Sequence, residues 1–237
     1  MASVAQAEAV GLSFWQKMAF GISLFIVFGF VQFAARGFVD FAKVPVWIHL
    51  HGIVMLSWLA LTVSQPSLIQ RGNVTLHRKL GWLGVALAAG VCAFGSAAGI
   101  LSLKTQHVPP FFTPPYFLAL TQIGIAVFAG MIVAAVLNRR RTDWHQRLML
   151  GATILIMEPA LGRVLPMPLI MPWGEWLVMV IQLGVLALVM RHDRRTIGVL
   201  HPATLAFAVV IVLSHLVVEL LAITPDWIAF AGRVAGG

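Results

Sequence analysis

The chain has 237 residues, 60% of them hydrophobic and only 10% charged, with a mean hydropathy of +0.93. A soluble domain carries about 25% charged residues. The deficit excludes a water-soluble globule, and repeated apolar runs of spanning length indicate an integral membrane protein. The formal net charge of +8 lies in short turns between those runs, where bases set topology and meet anionic headgroups; it does not indicate nucleic-acid binding.

The length suits a single transmembrane helical domain over 1–237, with no separate soluble domain. The one cysteine, Cys92, lies inside an apolar run and reads as a small core residue. No cleavable secretory signal is evident, because the first apolar run is long enough to span.

Taken in order, residues 1–13 read as an interfacial lead and 15–35 as the first helix. Arg36, Asp40 and Lys43 mark the next loop. Pro45 starts a second helix over 46–69, Pro being favoured in a first turn. A turn with Arg71, Gly72 and Asn73 leads to a third helix over 77–103, rich in the small residues that let membrane helices approach closely. Residues 44–84 hold a dense set of polar side chains, and the functional reading is organised around them.

The 107–115 loop carries four prolines, which forbid a helix. A fourth helix is predicted over 116–137. The basic turn Arg139-Arg140-Arg141 then leads to a fifth over 145–165, which Pro159 should kink. Prolines 166, 168 and 172 enforce a loop before a sixth helix over 173–190. A seventh runs over 202–223 and ends at an interface marked by Pro225, Asp226 and Trp227. The predicted class is all-α: a polytopic bundle of seven spans. Eleven of the sixteen lysines and arginines fall on the side of the 2–3, 4–5 and 6–7 loops, so the amino terminus is predicted inside and the carboxyl terminus outside a bacterial inner membrane.

Histidines are costly in a bilayer and need a reason. At 1.5 Å per residue, sequence position becomes depth. His77 and His145 each open a helix on the inner side and lie at one level. His51 and His215 lie at a common depth near the outer side. Two same-level histidine pairs suit axial ligation of b-type haem iron in a bundle core. His77 and His145 also read as interfacial anchors, since each sits in a basic turn. His49 and His51 point to nearly opposite faces, and His51 shares its face with Met55 and Trp58. His107, His192 and His201 read as loop or helix-end residues.

A second constellation lies in the outer half. His215 and Glu219 share a face at i, i+4, and Glu158 and Arg163 fall at similar depth. They read as a structural Glu158–Arg163 or Glu219–Arg163 ion pair, or as a polar cavity for a small molecule, a quinone or a proton. No P-loop, nucleophile elbow, H-E-x-x-H or cysteine pair is present, and no catalytic residue is assigned.

His51-Gly52-x-x-Met55-x-x-Trp58 resembles the opening of the cytochrome b561-type core, and His77-x-x-Leu80-Gly81 and Trp144-His145 resemble later elements of it. That resemblance implies transmembrane electron transfer through two bis-histidine haems in a four-helix core. It makes His51, His77 and His145 axial ligands, with His215 standing in for a ligand that the fourth predicted helix lacks. The L-H-R-x-L-G and H-x-R-L-M elements are also similar to a group of bacterial multi-pass proteins, which implies a fold and a membrane but no activity. The leading expectation is a haem b protein that passes electrons, linked to a quinone. The alternatives are a haem-free protein whose outward cavity binds or transports a small solute, and a subunit of a larger membrane complex.

Overall fold

The computed structural model describes residues 11–236, which form helices and the turns between them; no strand occurs among the described residues. The predicted lead at 1–13 falls outside them except for its last three residues. Ser13 starts α1 (Phe14–Phe33) through a reciprocal capping box: its hydroxyl accepts from the Gln16 N–H, and the Gln16 side chain accepts from the Ser13 N–H. The helix widens into a π-turn, Ala34–Phe38, where Gly37 takes a φ of +84° that a side chain would resist.

Then follow α2 (Val46–Gln70), α3 (Val74–Lys104) and α4 (Pro114–Leu137). After them come α5 (Thr142–Leu155), α6 (Glu158–Val164), the single turn α7 (Met167–Ile170), α8 (Gly174–Ile197), α9 (Pro202–Ala222) and α10 (Pro225–Gly236). The Asn73 side chain caps α3 by accepting from the Leu76 N–H, and Pro sits in the first turn of α4 and α9.

Six helices, α1, α2, α3, α4, α8 and α9, are long and apolar enough to cross a membrane. The fifth predicted helix, 145–165, is not continuous. It is broken between Leu155 and Glu158, because Pro159 has no N–H to give the Leu155 carbonyl and its ring crowds that turn. The freed Leu155 carbonyl accepts instead from the Gln182 side-chain amide on α8 at 3.3 Å; the same amide lies 3.5 Å from the Ile154 carbonyl, which also accepts from the Met157 N–H.

This broken rod is the centre of the molecule. Nearly every residue of α5 from Arg147 onward is buried. It packs on α1, α4, α8 and α9, and α6 packs on α1 and α8. Around it α2, α3, α4, α9 and α8 adjoin in that order, with α1 against α2. The centre is therefore 142–164 rather than 44–84: α2 lies at the rim, with only Trp58 and Leu59 buried among its residues. Trp58 meets Phe128 of α4 edge to face at 5.5 Å. Gly29 lets α1 approach the α6 backbone, since a Cβ there would lie 2.9 to 3.2 Å from Ala160 atoms.

The turns 71–73, 138–141 and 198–201 gather at the basic end of the bundle. The proline-rich connections gather at the other. There α10 packs on α3 and α4, where the Trp227 indole N–H donates to the Pro115 carbonyl at 2.8 Å. Sequence reasoning ended the chain's helices near residue 223 and missed α10.

Candidate functional site

At the basic end, the first turns of α3 and α5 carry His77 and His145. Their rings lie 6.4 Å apart, centre to centre, with planes at 86°. Nδ1 of His145 is 2.8 Å from the Ala135 carbonyl. A carbonyl can only accept, so Nδ1 carries a hydrogen, and in the neutral ring Nε2 keeps its lone pair. His77 has a buried Nδ1 with no hydrogen-bond partner. One turn deeper on its face, a Cβ added to Gly81 would meet nothing within 4 Å. Gln65, at a similar distance from the α2–α3 turn, has both ends of its amide buried and unpartnered. Arg71, Arg78, Lys79, Arg139, Arg140 and Arg141 stand exposed in the flanking turns.

Two metal–nitrogen bonds of about 2 Å place axial imidazole nitrogens ~4 Å apart and ring centres ~6 Å apart. The observed spacing matches that separation, and the orphaned His77 nitrogen and the fixed His145 tautomer suit the same role. The two side chains have the spacing of a ligand pair. No group of three or more His, Cys, Asp or Glu side chains is arranged to hold a metal ion among the described residues. An iron carried by a porphyrin needs only two axial side chains.

The other half of the bundle differs in part from expectation. Of His51, Glu158, Arg163, His215 and Glu219, Glu158 and His215 line one cavity, Glu158 and Glu219 both act electrostatically on Tyr116, and Arg163 acts on His51, but no hydrogen bond or ion pair joins any two of the five. His215 is buried on α9, its Nε2 3.2 Å from the Gln182 side-chain oxygen, and it lines a cavity of about 20 Å³ with Glu158 and Ser214. That volume holds one water. Glu219 accepts from the Tyr116 hydroxyl at 2.8 Å. Arg163 pairs with neither glutamate, which corrects both ion pairs expected from the sequence. Its guanidinium turns toward α1, lies over Phe30 and Phe33, and donates to its own helix at the Pro159 carbonyl. His51, on the rim helix α2, has an unpartnered buried Nδ1 and no ring contact with His215. The two are not brought together as an axial pair.

Several groups here were missed. Glu175, in the first turn of α8, is buried with an unpartnered carboxylate oxygen, and it acts electrostatically on Glu158 and Tyr116. Gln182 joins the broken helix to His215. A buried glutamate in an apolar run is itself a signal, and Glu175 could have been taken from it. Gln182 carried no comparable mark.

A polar network close to the histidine pair also escaped notice. Arg147 donates two hydrogen bonds to Oδ1 of Asp193, whose Oδ2 accepts from the Thr204 hydroxyl and the His201 N–H. His201, expected in a loop, is buried and caps α9: its Nδ1 accepts from the Ala203 N–H, so its Nε2–H donates to Asp143. The Arg147 guanidinium also lies over Trp15, and His192 stacks on Phe14 at 3.9 Å. This network ties α1, α5, α8 and α9 together below the histidine pair. No known protein family, curated protein or solved structure matches the chain.

Proposed function

We propose that the chain is a bacterial inner-membrane protein that holds one b-type haem between His77 and His145 and exchanges electrons with a quinone. The observation that carries this reading is the separation of the two imidazoles, 6.4 Å between ring centres, with one nitrogen orphaned and one tautomer fixed by a carbonyl. The b561-type elements around His51 and His77 support the same cofactor class. The proposal assigns one haem and not two, since His215 is engaged by Gln182 and His51 lacks a facing imidazole.

A haem bound there would supply a one-electron carrier at the basic end. His145 and His77 would hold it, and the arginines of the flanking turns would offset the charge of its carboxylates. Counting α5 and α6 together as a broken span gives seven crossings, the basic end inside and the proline-rich end outside. About 34 Å of helix over residues 142–164 is enough for that, and the placement of the basic turns supports the orientation.

The test is the visible spectrum of protein purified from haem-replete cells. We expect a Soret band with low-spin features, lost in His77→Ala and in His145→Ala and kept in His51→Ala and His215→Ala. A colourless wild-type protein overturns the reading. The second reading, a haem-free protein with a solute or proton site near Glu158, rests on the unpartnered Glu175 oxygen and on the electrostatic action of Glu175 on Glu158, which lines that cavity. It would be favoured by colourless protein whose activity is lost in Glu158→Gln with folding intact.

A further inference from the structure

We infer that Glu158 and His215 hold one transferable proton between them, relayed by a single water in the cavity they both line. The inference rests on the second reading, whose ligand it names, and is independent of the haem.

Glu158 opens α6 beyond the helix break, and the one cation on its own helix, Arg163, lies over Phe30 and Phe33 of α1. Its other titratable neighbours bring no positive charge. Glu175 of α8 acts on it electrostatically, Glu219 of α9 acts on Glu175, and all three glutamates act on Tyr116 of α4. The facing stretches of α1 and α5, 21–33 and 148–155, hold no titratable side chain. The ion pairs among the described residues are Lys43–Asp40, Arg147–Asp193 and His201–Asp143, so none reaches these glutamates. A carboxylate buried in an apolar bundle without a cation is neutralised by a proton.

His215 supplies the acceptor. It is only 6% exposed, and it shares the cavity of about 20 Å³, room for one water, with Glu158 and Ser214. Its tautomer is set from the broken helix. The Leu155 carbonyl accepts from the Gln182 amide nitrogen, so the Gln182 oxygen is left to accept from Nε2 of His215 at 3.2 Å. In the neutral ring Nδ1 keeps its lone pair, and no hydrogen bond to Nδ1 occurs among the described residues. A carboxylic acid, a water-sized space and a free basic nitrogen make a donor, a relay and an acceptor. In the transfer the Glu158 O–H bond breaks and an N–H bond forms at Nδ1, by way of the water. Glu158 becomes a carboxylate and His215 an imidazolium, whose Nε2–H keeps its bond to Gln182. The reverse step restores both. The Tyr116 hydroxyl donates to Glu219, both half-buried toward the proline-rich end, which is the side of exchange.

The test is infrared spectroscopy of the purified protein near about pH 7, where exposed carboxylates are ionised. It reads the carbonyl stretch of protonated carboxyl groups and its downshift in D₂O. The expected result is an exchangeable acid band in the wild type, with a component lost in Glu158→Gln. In His215→Asn that component should remain while its exchange into D₂O slows about 100-fold, as for removal of a positioned proton acceptor. If Glu158→Gln does not fold, the wild-type band and His215→Asn still decide. An exchange rate unchanged in His215→Asn overturns the pairing. A wild-type protein without an acid band overturns the proton site; activity lost in Glu158→Gln alongside that result would keep the solute site of the second reading.

Discussion

Arg147 is the charged residue the bundle is least able to lose. Its guanidinium and the Asp193 carboxylate are almost wholly withdrawn from solvent, at 5% and 0% side-chain exposure. Removing one partner leaves a charge buried, at a cost of about 3–5 kcal/mol. Arg147→Ala should lower the detergent unfolding temperature sharply, and Arg147→Met with Asp193→Leu should recover most of the loss. At this scale the residue types were legible and their partners were not. His77 and His145 could be set at one level because each opens a helix, which fixes depth. Arg163 was misassigned because depth says nothing of azimuth: it turned toward Phe30 and Phe33 on α1, away from Glu158 and Glu219.

Helix α1 approaches the α6 backbone closely at Gly29. Gly29→Ala puts a methyl within 2.9 Å of the Ala160 Cβ, and the nearby backbone cannot yield as a flexible side chain would. Overpacking of this kind costs about 1–3 kcal/mol. Gly21→Ala on the same helix meets nothing within 4 Å and should be close to neutral. Comparing the two unfolding temperatures checks it; an equal effect would mean that α1 does not rely on the close approach. The long apolar helices were legible because twenty or more apolar residues between basic turns admit few other structures. The break at Pro159 was legible in kind. Its repair was not, because Gln182 lies 27 residues beyond Leu155 and belongs to another helix. α10 was missed because its short run of alanine, glycine and tryptophan has neither spanning length nor a strong cap.

For the whole molecule, orientation gives the sharpest prediction. Single cysteines introduced at Asn73, Asn138 and Gly198 in a Cys92→Ser background should all be shielded from a membrane-impermeant thiol reagent in intact cells. A cysteine at Pro109 should react. Labelling at any of the first three would reverse the orientation or change the number of crossings. The class of the protein was plain from composition, but its centre was not. Residues 44–84 drew attention by their charges, yet a helix rich in polar residues can sit at a rim, whereas α5 is central because its apolar faces are covered on four sides by α1, α4, α8 and α9.

That central position bears on how the protein is made. The first two turns of α5 carry Thr142, Asp143, His145, Gln146 and Arg147, and α6 adds only seven residues behind the break. Such a segment leaves the translocon poorly on its own. The amide that satisfies its open Leu155 carbonyl, and the carboxylate that neutralises Arg147, are both on α8, which is synthesised later. Biogenesis must therefore hold 142–164 unfinished beside α1 and α4 until α8 emerges. A nascent chain arrested near residue 171 should be degraded by membrane quality-control proteases, whereas one extended through α9 should survive; pulse-chase of the two lengths would separate them.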